Sequence, residues 1–578
     1  MCECSCRCRL TSPACLAATR WRRQQHTRTA NTSVDCAIEP KFTVMSQKRV
    51  EVTRTLTRPE TWRSEHVKAV ILAANDTVSP LNLRKPRALI KVNGIPLLEH
   101  QIRAYSRAGV ETASISVVAG YQCGQVKRYL MREHPEICLV RNPDYRLTGP
   151  LYSLNLALRS AEPHSADKGL FISSGESIYD DEAIERVSRV SGNAIAGDTS
   201  CYRAASTKVI AENGNVVLIG AQVPKYAATA VATGLCKLDA HARGVLSDIA
   251  GARTAEKRDA PLAGALCDLI RRVRMTLVDI AGTKWAAVRT MDDLQTADKR
   301  FSRFSLSGKR CFVLDLDGTV YVGTRPIRGT LEFISQSTGD AFYFVTNNTS
   351  KLPEEYRTRL NALGISADAE HVVTPLAPLI KYLRERTLTR VYLLANTKVT
   401  AYLRGALPEL ELTADPEACD ALIVTYDTEL TYDKLRDAAL LLQQNPHLTF
   451  VATHGDLVCP TERGFVPDSG CILSVLEQAS GRTPDTVFGK PNPLLLERVT
   501  ARYRPSQMVV VGDRLYTDGR MARNVGCDFI CVLSGETTRE RIDELREDEF
   551  PSLIVKDLGD LLAQRDGSTA PAAADCGA

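Results

Sequence analysis

No apolar run in this 578-residue chain approaches the ~18 residues needed to cross a bilayer, which excludes a membrane-spanning helix. Charge of one sign is also scarce. The formal net charge is +5, but residues 1–64 hold 12 Lys/Arg against 5 Asp/Glu, so the rest of the chain stands at about −2 once that surplus of seven is removed. Such a body has no electrostatic footprint for nucleic acid. The N-terminal segment lacks the apolar core of roughly 7–15 residues that a secretory signal needs, although its Arg-rich, acid-poor character is shared with organelle transit peptides. Translation from Met45 would account for it equally well. The run Cys2-x-Cys4-x-Cys6-x-Cys8 contains no histidine, and its one-residue spacings are not those of zinc modules, so no metal is expected there. Internal repeats are absent too.

What is present is ordinary globular composition, 44% hydrophobic and 24% charged. A chain this long exceeds one hydrophobic core, and at roughly 100–200 residues per domain two to four folding units are expected. Six of the 18 cysteines fall in the first 36 residues, and the others are scattered singly through apolar segments, as reduced core thiols are. The expected compartment is therefore a reducing cytoplasm. Residues 1–64 read as a basic, Cys-rich, disordered segment and are set aside.

From His66 the pattern is α/β, with an apolar strand Val67–Leu72, a helical stretch Leu97–Ala108 and a strand near Ala113–Val118. Similar alternation continues to about Ala297, which predicts one doubly wound domain over residues 65–300. A polar, basic hinge from Lys299 to Arg310 precedes a second strand-loop start at Cys311–Leu316, and the alternation then runs to about Leu562. Residues 301–565 are read as the second domain. The tail 566–578 has no periodicity and is expected to be disordered.

The second domain carries four motifs in order. Val313-Leu-Asp-Leu-Asp-Gly-Thr319 places Asp315 and Asp317 just past a buried parallel strand, where ligands collect in open α/β sheets. Phe344-Val-Thr-Asn-Asn-Thr-Ser350 ends another apolar strand in a hydroxyl and two amides, suited to phosphate oxygens. Phe488-Gly-Lys-Pro-Asn-Pro493 supplies Lys490 in a Gly/Pro turn. Met508-Val-Val-Val-Gly-Asp-Arg-Leu-Tyr-Thr-Asp518 adds Asp513 and Asp518, hard oxygen ligands of the kind that suit Mg²⁺.

Together these motifs closely resemble the type IIA branch of the haloacid dehalogenase (HAD) superfamily, which includes 4-nitrophenyl, phosphoglycolate and pyridoxal phosphate phosphatases. About 250 residues share the resemblance, including Thr425-Tyr-Asp-Thr-Glu-Leu-Thr-Tyr432 and Ala452-Thr-His-Gly-Asp456. It implies that Asp315 attacks phosphorus in line to form an aspartyl-phosphate, and that Asp317 is the general acid and base. Thr346 and Lys490 would hold the transferring phosphoryl group, with Asn347, Asn348 and Gly318 at the substrate. Mg²⁺ would lie between the Asp315 carboxylate, the Asp317 carbonyl and Asp513, with Asp518 in support. The 143 residues between Thr346 and Lys490 leave room for a large α/β cap at about 375–487, where substrate choice should reside. His454 stands where relatives often have Asn; contact with substrate is one reading, and a core or loop histidine is the expected one.

The first domain resembles the opening of sugar-phosphate and phosphocholine nucleotidyltransferases through Val70-Ile-Leu-Ala-Ala74 and the stretch from Lys85-Pro-Arg to Leu98. Several functional positions depart from that pattern. The phosphate loop Asn75-Asp-Thr-Val-Ser79 has no glycine; the expected Lys is Arg87; Gly-Asp is Gly175-Glu176; a later Lys is Ala221. Most telling, Trp285-Ala-Ala-Val-Arg289 ends in a cation where the resemblance calls for an Asp metal ligand.

The expected fold class is thus α/β with two domains, an N-terminal Rossmann-like nucleotidyltransferase fold and a C-terminal HAD Rossmann-like core with its cap. The expected activity is Mg²⁺-dependent hydrolysis of a small phosphorylated metabolite, with the first domain serving binding or assembly, either of a nucleotide or of a second copy of the chain. One alternative adds cytidylyl transfer to the phosphatase. Another makes both halves a non-catalytic scaffold, against which the intact Asp315 and Asp317 speak.

Overall fold

Apolar runs that alternate with amphipathic stretches fold here into separate sheets, one for each half of the chain and one for the cap. The structure, a computed structural model, describes residues 67–74, 85–160, 169–202, 206–461 and 464–565. The segment 1–64, the loop Asn75–Ser79 and the tail 566–578 lie outside the described residues, and with them the expectations made for them.

The first half builds a nine-stranded sheet in the order Cys138–Arg141, Ile115–Ala119, Val67–Ala73, Gly169–Ser174, Ala230–Leu238, Asn193–Asp198, Met275–Asp279, Asn215–Gly220, Lys208–Glu212. Its first four strands are parallel, but Ala230–Leu238 runs antiparallel to both of its main neighbours. The doubly wound pattern is therefore interrupted. Between Asp198 and Ala230 the described residues form the edge hairpin Lys208–Glu212/Asn215–Gly220 and a 3-10 turn Lys225–Ala227, with no α-helix among them to carry a parallel crossover.

The second half forms a wholly parallel six-stranded sheet, ordered Val372–Val373, Ala341–Val345, Cys311–Asp315, Met508–Gly512, Asp528–Val532, Leu553–Val555. Chain order reverses at Cys311–Asp315, and the crevice beyond the carboxyl ends of strands at such a switch point is the usual ligand site. Between its second and third motifs the chain inserts a five-stranded parallel sheet, Glu411–Leu412, Arg390–Leu394, Ala421–Val424, Thr449–Ala452, Thr486–Val487, which constitutes the cap.

Every residue of Cys311–Asp315 and of Met508–Gly512 is buried, as expected of strands covered on both faces. Leu314 is fully buried among Phe312, Phe344 and Val511. Truncation of Leu314 to Ala should cost about 2–5 kcal/mol, read as a lower urea midpoint at unchanged slope. Among the described residues no helix is long and apolar enough to cross a membrane, and the cysteines are free thiols. Both halves belong to one compact unit, Thr61–Ala578, in which helix Met291–Phe301 of the first half packs against strand Leu553–Val555 of the second.

Candidate active site

Parallel register brings the motif residues to one edge. Asp315 lies beside Val345, so Thr346 follows at the carboxyl end of the neighbouring strand; Leu314 pairs with Val511 on the other side, which puts Asp513 one residue past that strand's end. Lys490 comes from the turn that leaves the cap. Its Nζ donates to Asp315 Oδ1 and, at 2.7 Å, to Asp518 Oδ1. Asp315, Thr346, Lys490, Asp513 and Asp518 are all buried. Gly318 adopts φ +90, and a Cβ there would lie 2.6 Å from Asp513 Oδ2, so the motif glycine is required for both the turn and the approach of Asp513.

Asparagine amides brace this arrangement. Asn347 Oδ1 accepts from the Lys490 backbone N–H at 2.7 Å and its Nδ2 donates to the Lys490 carbonyl at 3.1 Å, so Asn347 fixes the lysine turn on the core. The same Nδ2 donates to Asp456 of the cap at 3.2 Å. Asn348 Oδ1 accepts from the backbone and hydroxyl of Ser350, while its Nδ2 faces Cys459 Sγ at 3.6 Å. Both amides expected at the substrate are thus engaged within the protein, Asn347 most fully.

Crowded carboxylates shift one another. Burial, with the Asp315 and Asp518 charges behind it, pushes Asp513 up to about 8. Burial likewise pushes Asp518 up, to about 6, although Lys490 pulls the other way. For Lys490 burial opposes the charge, but the Asp315 and Asp518 carboxylates outweigh it and hold the ammonium protonated. Burial and then the Asp315 charge raise Asp317, so that its carboxyl keeps a proton to higher pH than a free aspartate would.

Asp315, Asp513 and Asp518 each offer an oxygen, all within 4.8 Å of one another. Asp513 Oδ1 is buried with no hydrogen-bond partner, while its Oδ2 accepts from the Glu536 N–H at 2.6 Å. An orphaned carboxylate oxygen inside a cluster of hard ligands fits a divalent cation. Asp518 has less to offer it, since its two oxygens already accept from Lys490 and from the Arg514 N–H at 3.2 Å. The Asp317 carboxylate stands outside the cluster.

Three further side chains join the site without having been singled out as site residues. Arg514 lies within the fourth motif and spans 3.5 Å to Asp456 of the cap and 3.1 Å to Glu536. Asp456 closes the quoted Ala452–Asp456 segment, so both were visible in motifs whose roles only the fold reveals. Glu536 belongs to no motif. His454 is fully buried, 2.8 Å from Asp468 and 3.1 Å from Thr453 Oγ1, a core histidine as expected.

In the first half, Glu176 forms ion pairs with Arg87 and, at 3.1 Å, with Arg289. Two guanidinium groups therefore engage the carboxylate that stands at the Gly-Asp position of the nucleotidyltransferase pattern.

A family model described as haloacid dehalogenase-like hydrolase matches residues 312–406, a second HAD-like hydrolase model matches 487–561, and a MobA-like NTP transferase domain matches 69–189. An acid sugar phosphatase of Staphylococcus haemolyticus (strain JCSC1435) is 36% identical over 253 residues, which is 43% of this chain and 93% of that protein. A 4-nitrophenylphosphatase structure from Thermotoga maritima is 33% identical, covering 44% of this chain and 97% of that one, with a TM-score of 0.41. A glycerol phosphate phosphatase from Mycobacterium tuberculosis, in complex with magnesium, is 32% identical over 44% of this chain and 77% of that one, TM-score 0.40.

Proposed function

The chain belongs to the haloacid dehalogenase-like hydrolases and is a phosphatase of that family, and from this premise we propose that its second half is a Mg²⁺-dependent phosphomonoesterase working through Asp315. The observation that carries the reading is the cluster Asp315, Asp513, Asp518 around the Lys490 ammonium, with Asp513 Oδ1 buried and unpartnered.

In the first step an Asp315 oxygen attacks phosphorus, the ester P–O bond breaks, and Asp317 gives its proton to the leaving oxygen. In the second, Asp317 takes a proton from water, the water oxygen bonds to phosphorus, and the bond to Asp315 breaks to release phosphate. Lys490 and Thr346 hold the phosphoryl oxygens. Mg²⁺ held by Asp315 and Asp513 would supply countercharge for the transferring group. A sugar or polyol phosphate is the substrate class in view, by likeness to the relatives' names, and the free cysteines fit a cytoplasmic setting.

The first half is proposed to bind or assemble without transferring nucleotides, because Arg87 and Arg289 pair with Glu176 where metal-bound catalysis would need uncompensated carboxylates. One assay tests both halves: phosphate release from a phosphomonoester panel, and pyrophosphate release from CTP or UTP, each with Mg²⁺ and with a chelator. Chelator-sensitive phosphate release without pyrophosphate is expected. Phosphate release that is indifferent to chelation would overturn the metal reading, and pyrophosphate release would overturn the inactive first half.

The raised Asp513 carboxyl gives a pH dependence with a definite sign. Below about 8 the folded protein carries a proton there that a cation must displace, so binding should strengthen as pH rises. The apparent Mg²⁺ affinity of chelator-treated protein should improve by up to about tenfold per pH unit between pH 6 and 8. Measured as the Mg²⁺-induced rise in Tm, the effect should be larger at pH 8 than at pH 6.

A further inference from the structure

Asp513 is held from outside its own strand. Its Oδ2 accepts from the Glu536 N–H at 2.6 Å, and its carbonyl accepts from the Thr537 N–H at 3.1 Å. Ser534 Oγ in the same turn donates to the Gly318 carbonyl at 2.7 Å. Gly535 lies so close to the Asp513 carboxylate that any side chain there would overlap it. The turn 534–537 is thus fitted to both Asp513 and the nucleophile loop.

The same turn runs straight into the helix Arg539–Glu544, and this helix is anchored by the other half of the chain. Arg539 forms a buried ion pair with Asp298, and its Nη2 donates to the Lys91 carbonyl at 2.6 Å. Asp543, one helical turn on, accepts from the Lys91 N–H at 2.9 Å and from Lys85 Nζ at 2.7 Å. Asp298 also accepts from the Asn93 N–H at 2.8 Å. Residues four apart share a helix face, so one face of this helix faces the loop 85–93. Arg541, on the same helix, reaches back to Glu536 at 3.0 Å, and Glu536 in turn forms an ion pair with Arg514 and accepts from the Tyr516 hydroxyl, at 3.1 Å each. The segment 534–544 is therefore clamped at one end by the proposed metal ligand and at the other by the first half.

Asp298 and Arg539 are almost wholly excluded from solvent, and a fully buried charge pair is generally a poor source of stability compared with apolar packing. Its directional demands are strict, however, which suits a device that fixes position. From this we propose that the first half is a positioning element of the phosphatase: Asp298, Lys85 and Lys91 dock the helix Arg539–Glu544 so that the turn 534–537 holds Asp513 in metal-binding geometry. The proposal rests on the reading of Asp513 as a metal ligand. It assigns the nucleotidyltransferase-like half a task that needs no nucleotide, and it reuses Lys85, part of that half's motif, as a docking residue.

The test uses the full chain, chelator-treated, with Mg²⁺ affinity read by isothermal titration and kcat and KM read with 4-nitrophenyl phosphate. Asp298→Asn should weaken Mg²⁺ binding by about tenfold, the usual cost of disturbing the support of a ligand. The KM at saturating Mg²⁺ should be unchanged, and kcat should recover as Mg²⁺ is raised. Lys85→Ala, at a partly exposed position, should move Mg²⁺ affinity in the same direction by a smaller factor, and it carries the test should Asp298→Asn not fold. Unchanged Mg²⁺ affinity in the folded variants, or a loss of activity that extra Mg²⁺ does not restore, would overturn the proposal and leave the contact a simple interface. Failure of the wild-type protein to bind Mg²⁺ would instead overturn the metal reading on which the proposal stands.

Discussion

Asp315→Asn is expected to lower turnover of any phosphomonoester by about 10⁴- to 10⁶-fold, the scale seen when a covalent nucleophile is removed. The reason is geometric as well as chemical. Asp315 ends the central strand at the point where chain order reverses, with Thr346 and Asp513 beyond the flanking strand ends and Lys490 Nζ on its own Oδ1. An amide keeps the shape of the carboxylate but is a poor nucleophile. It removes one of the negative charges that raise Asp513 and Asp518 but also one partner of the buried Lys490 ammonium, which keeps Asp518, so the variant should remain folded with a modestly changed Tm. Far-UV circular dichroism and a thermal melt beside the kinetics would separate lost chemistry from lost structure. Retention of even a hundredth of wild-type turnover by a well-folded variant would remove Asp315 from the mechanism.

Asp317→Asn should have the second largest effect, and one that depends on the leaving group. Burial and the Asp315 charge keep the Asp317 carboxyl protonated to higher pH than usual, as a general acid requires. An alkoxide leaving from a sugar or polyol phosphate needs that proton, whereas nitrophenolate departs readily without one. The expected loss in kcat/KM, which reports the first step, is about 10²- to 10⁴-fold for alkyl phosphates, and distinctly smaller for 4-nitrophenyl phosphate. The sign of the pH dependence follows. Because the acid must be protonated for the first step, wild-type activity on alkyl phosphates should fall as pH rises through the raised Asp317 value, and that limb should vanish in the variant. Equal losses in kcat/KM for the two leaving groups would argue that Asp317 acts on something other than the leaving oxygen.

The parts of this site that could be read in the sequence share one property. Asp315, Thr346 and Asp513 each sit just beyond an apolar run that can only be a buried strand, so position along the run sets which sheet edge they reach, and parallel pairing brings the edges together. Lys490 was visible as a cation in a Gly/Pro turn, but its two carboxylate partners were not, because Asp315 ends a strand on the far side of the whole cap and Asp518 lies in the helical turn Leu515–Gly519 within the final motif. Asn347 reads as a substrate amide when considered alone. Its hold on the Lys490 backbone depends on a chain separation of 143 that no local pattern encodes.

Glu536 and Arg539 are further from reach still. Neither lies in a motif, and the partner of Arg539 is Asp298, a residue of the other half whose helical setting looks like any amphipathic surface. In the first half the departures at Arg87, Glu176 and Arg289 were legible one by one, but their convergence into ion pairs was not. Direction within that sheet was also hidden: nothing in the apolar run Ala230–Leu238 distinguishes a parallel from an antiparallel strand, and the described residues between Asp198 and Ala230 form an edge hairpin rather than a crossover helix.

The central claim is that phosphate passes through a covalent bond to Asp315. Its most direct test is to quench the full-length enzyme with acid during turnover of a phosphomonoester in the presence of Mg²⁺, reduce the acyl phosphate with borohydride, and map the peptides by mass spectrometry. The account predicts conversion of residue 315 to homoserine in the wild-type protein and no conversion in Asp315→Asn. Reductive conversion at another residue, or rapid turnover that leaves the Asp315 peptide unmodified at every quench time, would contradict it.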